Sequence, residues 1–282
     1  MKPRKITISS NSGFCFGVKR ALDIAKRALA GQGTIYSFGP IIHNPQVVCD
    51  FSGKGLKIVK DVKEIDSKKA FLLIPSHGVS PDVLTKKGVS YIDTTCPLVG
   101  RVQRIVKDLK KKGYFIIIVG DKKHPEVKGL AGIAGKNSCV LKNKKEAKNL
   151  KFPPKKVALI SQTTATLADF KEILSEIAKK DFTEMISFNT VCKNTIDRQK
   201  EALEIAKKVD AMIVIGGKNS ANTSKLARTC KRVNKNTCHI ESKEDLKVKF
   251  LKDKRNIGIA TGASTPPGAI KEVVKKIRRF DN

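Results

Sequence analysis

The chain alternates between short apolar runs and amphipathic stretches along its whole length. The runs FLLI, YFIIIVG, KVALIS, AMIVIGG and NIGIAT are rich in β-branched residues, and each leads into a polar turn and then a helical pattern. This alternation is typical of parallel α/β units. We therefore predict an α/β fold with mainly parallel sheets. Functional residues are expected in the turns after the strands, where ligands collect in open parallel sheets.

Three of these turns carry a cysteine between a strand and a helix, namely Cys15, Cys96 and Cys192. Their regular recurrence predicts three pseudo-repeated α/β domains, spanning residues 14–96, 97–191 and 192–282. The third repeat lacks a closing strand of its own. We expect the N-terminal segment 1–13 to supply that strand and to close the chain into a pseudo-threefold ring.

Two further turns recur in each repeat. A polar residue stands 28 positions after each cysteine and four positions after a glycine: His43, His124 and Ser220 follow Gly39, Gly120 and Gly216. The glycines are expected to end their strands with a permissive backbone. A third turn in each repeat presents His77, Thr163 and Ser264, respectively. Single residues of these types are often helix caps, but the equal offsets favour a shared site.

If the carboxyl ends of the strands face inward, the three cysteines converge on one centre. Each would lie near a helix N-terminus, which favours the thiolate. Three thiolates can hold either zinc with an open position or a four-iron cluster with one open iron. The cluster is favoured, because catalytic zinc more often takes His or carboxylate ligands. The fold is thus predicted to surround a central iron-sulfur cluster.

The remaining cysteines, Cys49, Cys139, Cys230 and Cys238, show no repeat placement and are interpreted as core or surface thiols. An odd total of seven, without CxxC pairs, favours reduced thiols or metal ligands over disulfides. The N-terminus lacks the apolar stretch of a secretory signal, and no apolar run is long enough for a membrane span. We therefore expect a cytoplasmic protein without a membrane partner.

The polar turn residues form a set suited to binding a diphosphate without a Walker-type loop. Hydroxyls, imidazoles, an amide and helix-start N–H groups are good phosphate donors, and the predicted set is His43, His77, His124, Thr163, Ser220, Asn222 and Ser264. Glu126, in KHPEVKG, is a carboxylate within this anion-binding region. It is interpreted as a proton relay to a leaving hydroxyl, and the alternative is a first-turn helix acid.

Two other classes of function are alternatives, and the first rests on the formal net charge of +31. One is a basic RNA-associated protein, although the lysines are dispersed along helices and no nucleic-acid motif is present. The other is a zinc hydrolase using His43, His77 and His124 with Glu126. That alternative lacks an HExxH-type pair and leaves the three repeated cysteines without a role.

Nine motifs carry a resemblance to a known family: GFCFGVKRA, IIHNPQVV, SHGVS, DTTCPLV, HPEVKG, SQTT, NTVC with DRQKEA, GGKNSANTSKL and TGASTP. In this order and spacing the chain resembles, from end to end, the 4-hydroxy-3-methylbut-2-enyl diphosphate reductase (LytB/IspH) family. The resemblance implies the last step of the non-mevalonate isoprenoid pathway. In that step two electrons and two protons remove water from the substrate, giving isopentenyl or dimethylallyl diphosphate.

The resemblance also implies roles for individual residues. A [4Fe-4S] cluster would be held by Cys15, Cys96 and Cys192, with its unique iron open to the substrate hydroxyl and prone to loss, leaving a [3Fe-4S] form. Glu126 would deliver protons, helped by Thr163 and His124, while the remaining polar set holds the diphosphate. Electrons would come from a small acidic donor of the ferredoxin or flavodoxin type, which a positive surface suits.

This chain departs from the family pattern at two positions. Ala221 stands where a second serine is frequent, so one phosphate contact must be lost or made by the backbone, and weaker substrate binding is expected. Pro267 stands where an acidic residue is common, which leaves the start of the last helix open.

Overall fold

The computed structural model describes residues 3–31, 33–65, 69–85, 89–151 and 156–281. The strands are β1 (Lys5–Ile8), β2 (Thr34–Phe38), β3 (Lys57–Val59), β4 (Ala70–Ile74), β5 (Ser90–Asp93), β6 (Phe115–Val119), β7 (Ser138–Leu141), β8 (Lys156–Ser161), β9 (Glu184–Ser187), β10 (Ala211–Ile215), β11 (Thr237–Ile240) and β12 (Asn256–Thr261). The α-helices are α1 (Phe16–Leu29), α2 (Pro45–Gly53), α3 (Pro97–Lys111), α4 (Pro125–Ala134), α5 (Lys144–Asn149), α6 (Leu167–Ile177), α7 (Lys193–Ala206), α8 (Ala221–Val233), α9 (Val248–Leu251) and α10 (Pro267–Arg279). Short 3₁₀ helices span Val62–Glu64, Pro81–Thr85 and Lys243–Asp245.

The strands form three four-stranded sheets, and every observed strand pair is parallel. The orders are β3-β2-β4-β5, β7-β6-β8-β9 and β11-β10-β12-β1. Each sheet therefore repeats one arrangement, in which the first strand lies between the second and the third, and the fourth lies beside the third. The predicted α/β fold with three pseudo-repeated domains is confirmed.

The N-terminal strand occupies the fourth position in the third sheet, as predicted. Lys5 to Ile8 pair in parallel with Asn256 to Ile259 of β12. β1 is the first strand in sequence and β12 the last. The third domain is therefore closed by a strand that precedes the first domain in sequence.

The two central strands of each sheet are buried on both faces, as helix-covered parallel sheets require, whereas the outer strands are more exposed. In β6, Ile116 and Ile118 pack into one apolar cluster with residues of α3 and α4. The alternate residues Ile117 and Val119 pack into a second cluster with residues of α6. Because side chains alternate along a strand, one apolar run supplies the core on both sides.

The chain separates into two compact units. The first, called the terminal unit, comprises Met1–Val18, His43–Cys49 and Lys193–Asn282, and contains the sheet of β1, β10, β11 and β12. The second, called the middle unit, comprises Lys19–Ile42 and Asp50–Cys192, and contains the other two sheets. Among the described helices, none has the length and apolar character needed to span a membrane.

Candidate active site

The same backbone hydrogen bond fixes all three repeated cysteines. The N–H of Cys96 donates to Ser76 O (2.9 Å), that of Cys192 to Thr163 O (2.8 Å), and that of Cys15 to Ala263 O (3.1 Å). Each acceptor is the second residue after the third strand of its sheet. A helix begins immediately after each cysteine. The repeats thus place each cysteine in an equivalent position, after the fourth strand of a sheet and beside the turn that follows the third strand of that sheet.

The three cysteines are partly exposed, and none of the seven is in a disulfide. The other four lie elsewhere. Cys49 is exposed on α2, whereas burial raises the pKa of Cys139 to about 11 and the pKa values of Cys230 and Cys238 to about 12. The last three pack into separate apolar clusters. The raised pKa values favour neutral thiols at neutral pH, and the packing of these three residues fits their interpretation as core thiols.

Glu126 is joined to Thr163 by two hydrogen bonds inside the middle unit. Thr163 donates its backbone N–H to Oε1 (2.7 Å) and its hydroxyl to Oε2 (2.8 Å) of Glu126. The carboxylate is buried, with only 2% of the residue exposed. Glu126 is the second residue of α4, where the helix dipole favours a negative charge. Glu126 is therefore a first-turn helix acid, and it is bonded to the residue expected to help it deliver protons, while its proton-relay role stays a prediction.

His124 caps the same helix. Its Nδ1 accepts the backbone N–H of Glu126 (3.2 Å), and its ring lies edge-on to that of His77 with centroids 6.4 Å apart. His77 follows Ser76, the acceptor of the Cys96 N–H. A chain of neighbouring groups therefore runs from Cys96 through the two imidazoles to the carboxylate. It continues through Thr163 to Cys192.

In the terminal unit, Asn44 ties two predicted turns together. Its Nδ2 donates to Ser264 O (2.9 Å), and its Oδ1 accepts the N–H of Val47 in the first turn of α2. His43 precedes it, and burial lowers the pKa of His43 below the usual 6.5, which favours the neutral ring at neutral pH. Ser264 follows Ala263, the acceptor of the Cys15 N–H.

The equal offset of 28 residues does not give three equal caps. His124 and Ser220 cap α4 and α8, whereas in the first repeat the capping residue is Asn44, one position after His43. The turn after β2 is one residue longer than its two counterparts, because α2 begins six positions after Gly39 and the others five after their glycines.

The three glycines before these turns also differ. Gly39 has a left-handed backbone (φ +72°), and Gly216 has a positive φ of +148°. Gly120 has no positive φ. A glycine is required there by close packing instead, because a Cβ would lie 2.8 Å from Val127 Cγ2 and 2.9 Å from Gln162 Oε1. The expectation of a permissive backbone was therefore wrong for Gly120.

The first turn of α8 presents Ser220 and Asn222 in a buried setting. The Oγ of Ser220 accepts the N–H of Thr223 (3.3 Å), while the side-chain nitrogen of Asn222 is buried without a hydrogen-bond partner in the described part of the chain. A buried donor without an acceptor is costly. An anion at the start of α8 would satisfy it. The residue between them, Ala221, offers only its backbone.

Thr223 brings α8 close to two strand ends. A Cβ at Gly262 would lie 2.0 Å from Thr223 Oγ1, and one at Gly216 would lie 2.9 Å from the same atom. Thr223, Asn44 and Arg198 are buried polar residues that lie within the sequence motifs but carry no individual signal of a role there. Pro267 is the first residue of α10, a position that proline favours, so the unusual residue starts the helix normally.

The predicted site residues fall in both units. The middle unit holds His77, Cys96, His124, Glu126, Thr163 and Cys192, and the terminal unit holds Cys15, His43, Ser220, Asn222 and Ser264. Within neither unit do the described residues gather three or more His, Cys, Asp or Glu side chains as a metal-binding group.

Comparison with known proteins gives consistent matches over the whole chain. Residues 6–278 match the family profile described as LytB protein. The chain is 47% identical over 281 residues to the 4-hydroxy-3-methylbut-2-enyl diphosphate reductase of Thermoanaerobacter sp. (strain X514), covering 97% of this chain and 96% of that protein. It is 39% identical to the enzyme of the same name from Geobacter metallireducens, covering 99% and 98%.

Solved structures agree with this match. One, of (E)-4-hydroxy-3-methyl-but-2-enyl diphosphate reductase, the terminal enzyme of the non-mevalonate pathway, is 38% identical with a TM-score of 0.68 and covers 98% of this chain and 99% of that one. Another, of E-1-hydroxy-2-methyl-but-2-enyl-4-diphosphate reductase from Plasmodium falciparum, is 29% identical with a TM-score of 0.90 and covers 97% and 87%.

Proposed function

The chain belongs to the LytB family, and on that premise we propose that it reduces 4-hydroxy-3-methylbut-2-enyl diphosphate to isopentenyl and dimethylallyl diphosphate. The reaction breaks the carbon–oxygen bond of the hydroxyl group. Two electrons and two protons are consumed: one proton leaves with the oxygen as water, and the other is added to the allylic carbon chain. The protein must therefore bind a diphosphate, supply protons and receive electrons.

LytB proteins are iron-sulfur enzymes. The proposed ligands of one [4Fe-4S] cluster are Cys15, Cys96 and Cys192, with one iron open. The residues fit such a group, because each thiol is partly exposed at a helix start and each is held by an equivalent backbone hydrogen bond. When bound, the cluster supplies the two electrons and a Lewis-acidic iron for the hydroxyl oxygen. Loss of the open iron in air would leave a [3Fe-4S] form.

The observation that carries the proposal is the buried pair of Glu126 and Thr163 beside Cys192. A carboxylate that accepts from a hydroxyl can hold a proton at Oε2. The hydroxyl can then accept that proton and donate its own to a substrate oxygen. His124 caps α4 by accepting the backbone N–H of Glu126 and so fixes the backbone that carries the carboxylate. This relay supplies protons next to one of the proposed ligands while burial excludes bulk water.

The proposed diphosphate ligands are His43, His77, His124, Thr163, Ser220, Asn222 and Ser264. Support comes from the buried amide of Asn222, which needs an acceptor, and from its location in the first turn of α8, where backbone N–H groups favour anions. A bound phosphate would also favour protonation of His43, whose pKa burial lowers. Ala221 removes one side-chain donor from this set.

The electron donor is proposed to be an acidic protein of the ferredoxin or flavodoxin type, since 57 Lys and Arg against 26 Asp and Glu attract such a partner. We also propose that the protein is located in the cytoplasm. The proposed domain boundaries are 14–96, 97–191 and 192–282, with 1–13 completing the third domain. The relatives described above all carry the reductase name, so the RNA-binding and zinc-hydrolase alternatives gain no support.

Anaerobic purification tests the proposal. The wild-type protein should be brown and contain about four irons and acid-labile sulfides per chain. Replacing any one proposed ligand with serine should abolish or severely reduce both, whereas Cys139→Ser, in an apolar cluster, should not. A colourless zinc protein, or equal iron content in all four variants, would contradict the assignment.

A further inference from the structure

Cys15 is the one repeated cysteine that follows a strand at the end of the chain. Its strand, β1, has four residues and lies at the edge of its sheet, bonded only to β12. A short edge strand has backbone partners on one side only, so it is held weakly unless other contacts support it. The segment Ser9–Gly13 connects this strand to Cys15, so the position of the thiol depends on what holds that segment.

Glu201, on α7, accepts four hydrogen bonds from this segment. The donors are the hydroxyl of Ser9 (2.7 Å), the backbone N–H of Ser10 (2.7 Å), and the backbone N–H and side-chain amide of Asn11 (3.1 and 2.8 Å). Burial alone would raise the pKa of Glu201, but these bonds outweigh it and lower the pKa to about 2. The carboxylate is therefore charged under all ordinary conditions, and charged acceptors form the stronger hydrogen bonds.

Arg198, one turn earlier on α7, holds the other end of the segment. Its guanidinium is buried, with 2% of the residue exposed, and donates to Gly13 O (3.1 Å) and to both oxygens of Thr261 (3.1 Å each). Thr261 Oγ1 also accepts the N–H of Gly13 (2.8 Å). One arginine thus joins the end of β12 to the backbone two residues before Cys15.

A related contact occurs in the first repeat. Arg20, five residues after Cys15, donates to Thr95 O (3.1 Å), which directly precedes Cys96. In both repeats an arginine on the helix after one cysteine bonds the backbone just before another. This recurrence indicates that the contact serves the cysteine and not only the helix that carries it.

We infer that Glu201 and Arg198 are positioning residues for the Cys15 ligand: together they hold Ser9–Gly13 against α7 and β12 and thereby fix where the thiolate is presented. The inference rests on the proposed role of Cys15 as an iron ligand. As positioning residues, Glu201 and Arg198 act through the backbone before Cys15. They affect how readily iron is bound and retained at Cys15.

The test compares Glu201→Gln with Glu204→Gln in the full chain. Gln keeps the shape of Glu201 but removes the charge and turns an amide towards N–H donors. Glu204 lies on the same helix in an exposed ion pair with Lys207 (2.9 Å) and provides the matched control. Arg198→Lys is the second variant, because an ammonium group cannot reproduce the guanidinium fork.

Iodoacetamide labelling of the iron-free chain, resolved by peptide mass spectrometry, measures each cysteine separately. We expect Glu201→Gln and Arg198→Lys to increase the labelling rate of Cys15 by about tenfold, as loss of a charged hydrogen bond implies, with Cys96 and Cys192 unchanged. The iron-loaded variants should also lose iron to a chelator faster than the control. An unchanged Cys15 rate, an equal rise at all three cysteines, or unaltered iron release would overturn the inference. A wild-type chain that binds no iron would instead overturn the proposed function, and the labelling result would still be readable.

Discussion

Replacing Glu126 with glutamine tests whether its carboxyl group supplies protons, because the substitution keeps the local structure around Thr163. Gln keeps an oxygen able to accept the Thr163 N–H, and its NH₂ can donate to the Thr163 hydroxyl once that hydroxyl rotates. The substitution therefore preserves the shape of the pair and removes only the acid. The two bonds of 2.7 and 2.8 Å lose their charged acceptor.

The expected magnitudes differ for stability and for turnover. A hydrogen bond to a charged group contributes about 1.5–3 kcal/mol and a neutral one about 0.5–1.5 kcal/mol. Part of the resulting loss in stability is offset, because burying a neutral amide costs less than burying a charged carboxylate, and Glu126 is only 2% exposed. We expect the free energy of unfolding to fall by no more than about 2 kcal/mol. Removing a proton donor should lower turnover by about 10²–10⁴-fold, or about 2.7–5.4 kcal/mol in the barrier.

The assay is anaerobic turnover with a chemical reductant, together with iron content and denaturant unfolding of the same preparations. Glu146→Gln is the matched control, since Glu146 is also a first-turn helix acid that accepts a backbone N–H (Lys142, 2.9 Å), but it is only half-buried and this bond is exposed. Iron content and KM should remain close to wild type in both variants. Turnover of Glu126→Gln within about threefold of wild type would refute the relay, because general-acid catalysis contributes far more than that.

Three other substitutions have defined outcomes. Gly262→Ala places a Cβ 2.0 Å from Thr223 Oγ1, so unfolding experiments should show a loss of about 1–3 kcal/mol, and wild-type stability would contradict the packing. Asn44→Ala removes the cap of α2 and should cost about 1 kcal/mol and raise KM, whereas an unchanged KM would confine Asn44 to a structural role. For Asp281, burial raises the pKa but hydrogen bonds from Arg4 outweigh it, so the folded-state pKa is lowered. The carboxylate therefore stabilises the fold above about pH 4 and stops doing so as pH falls through the lowered pKa. Asp281→Asn should be less stable by about 1 kcal/mol at pH 7 and should show a weaker loss of stability in acid titration, and an unaltered acid profile would exclude this contribution.

The fold was predictable because the signals were periodic. Each β-branched run became a buried parallel strand, and the missing fourth strand of the third repeat was correctly placed at the N-terminus. Both predictions needed only the pattern of runs and turns, since a parallel strand buried on both faces reads as a continuous apolar segment.

Details within the turns were less predictable, because a spacing in sequence does not fix a backbone path. The turn before α2 has one extra residue, which moved the cap from His43 to Asn44. Gly120 needed a small side chain rather than a left-handed backbone. Glu201 and Arg198 belong to the DRQKEA motif, but their partners in the segment before Cys15 are more than 180 residues away in sequence, so the motif alone does not indicate this contact.

The three repeats carry different chemistry on one scaffold. In each repeat a helix starts after the turn that follows Gly39, Gly120 or Gly216. In the described chain, only the middle repeat has a buried carboxylate at the start of this helix, that of Glu126. The third repeat has Ala221 and Asn222 there. The third turn offers imidazole, hydroxyl and hydroxyl at His77, Thr163 and Ser264. Carboxylates at this position in all three repeats would repel a diphosphate. Without any carboxylate there, no buried acid would be present to supply protons. Under the proposed roles, equivalent backbone positions with unequal side chains therefore allow the middle repeat to supply protons while all three repeats offer neutral or cationic donors to the anion.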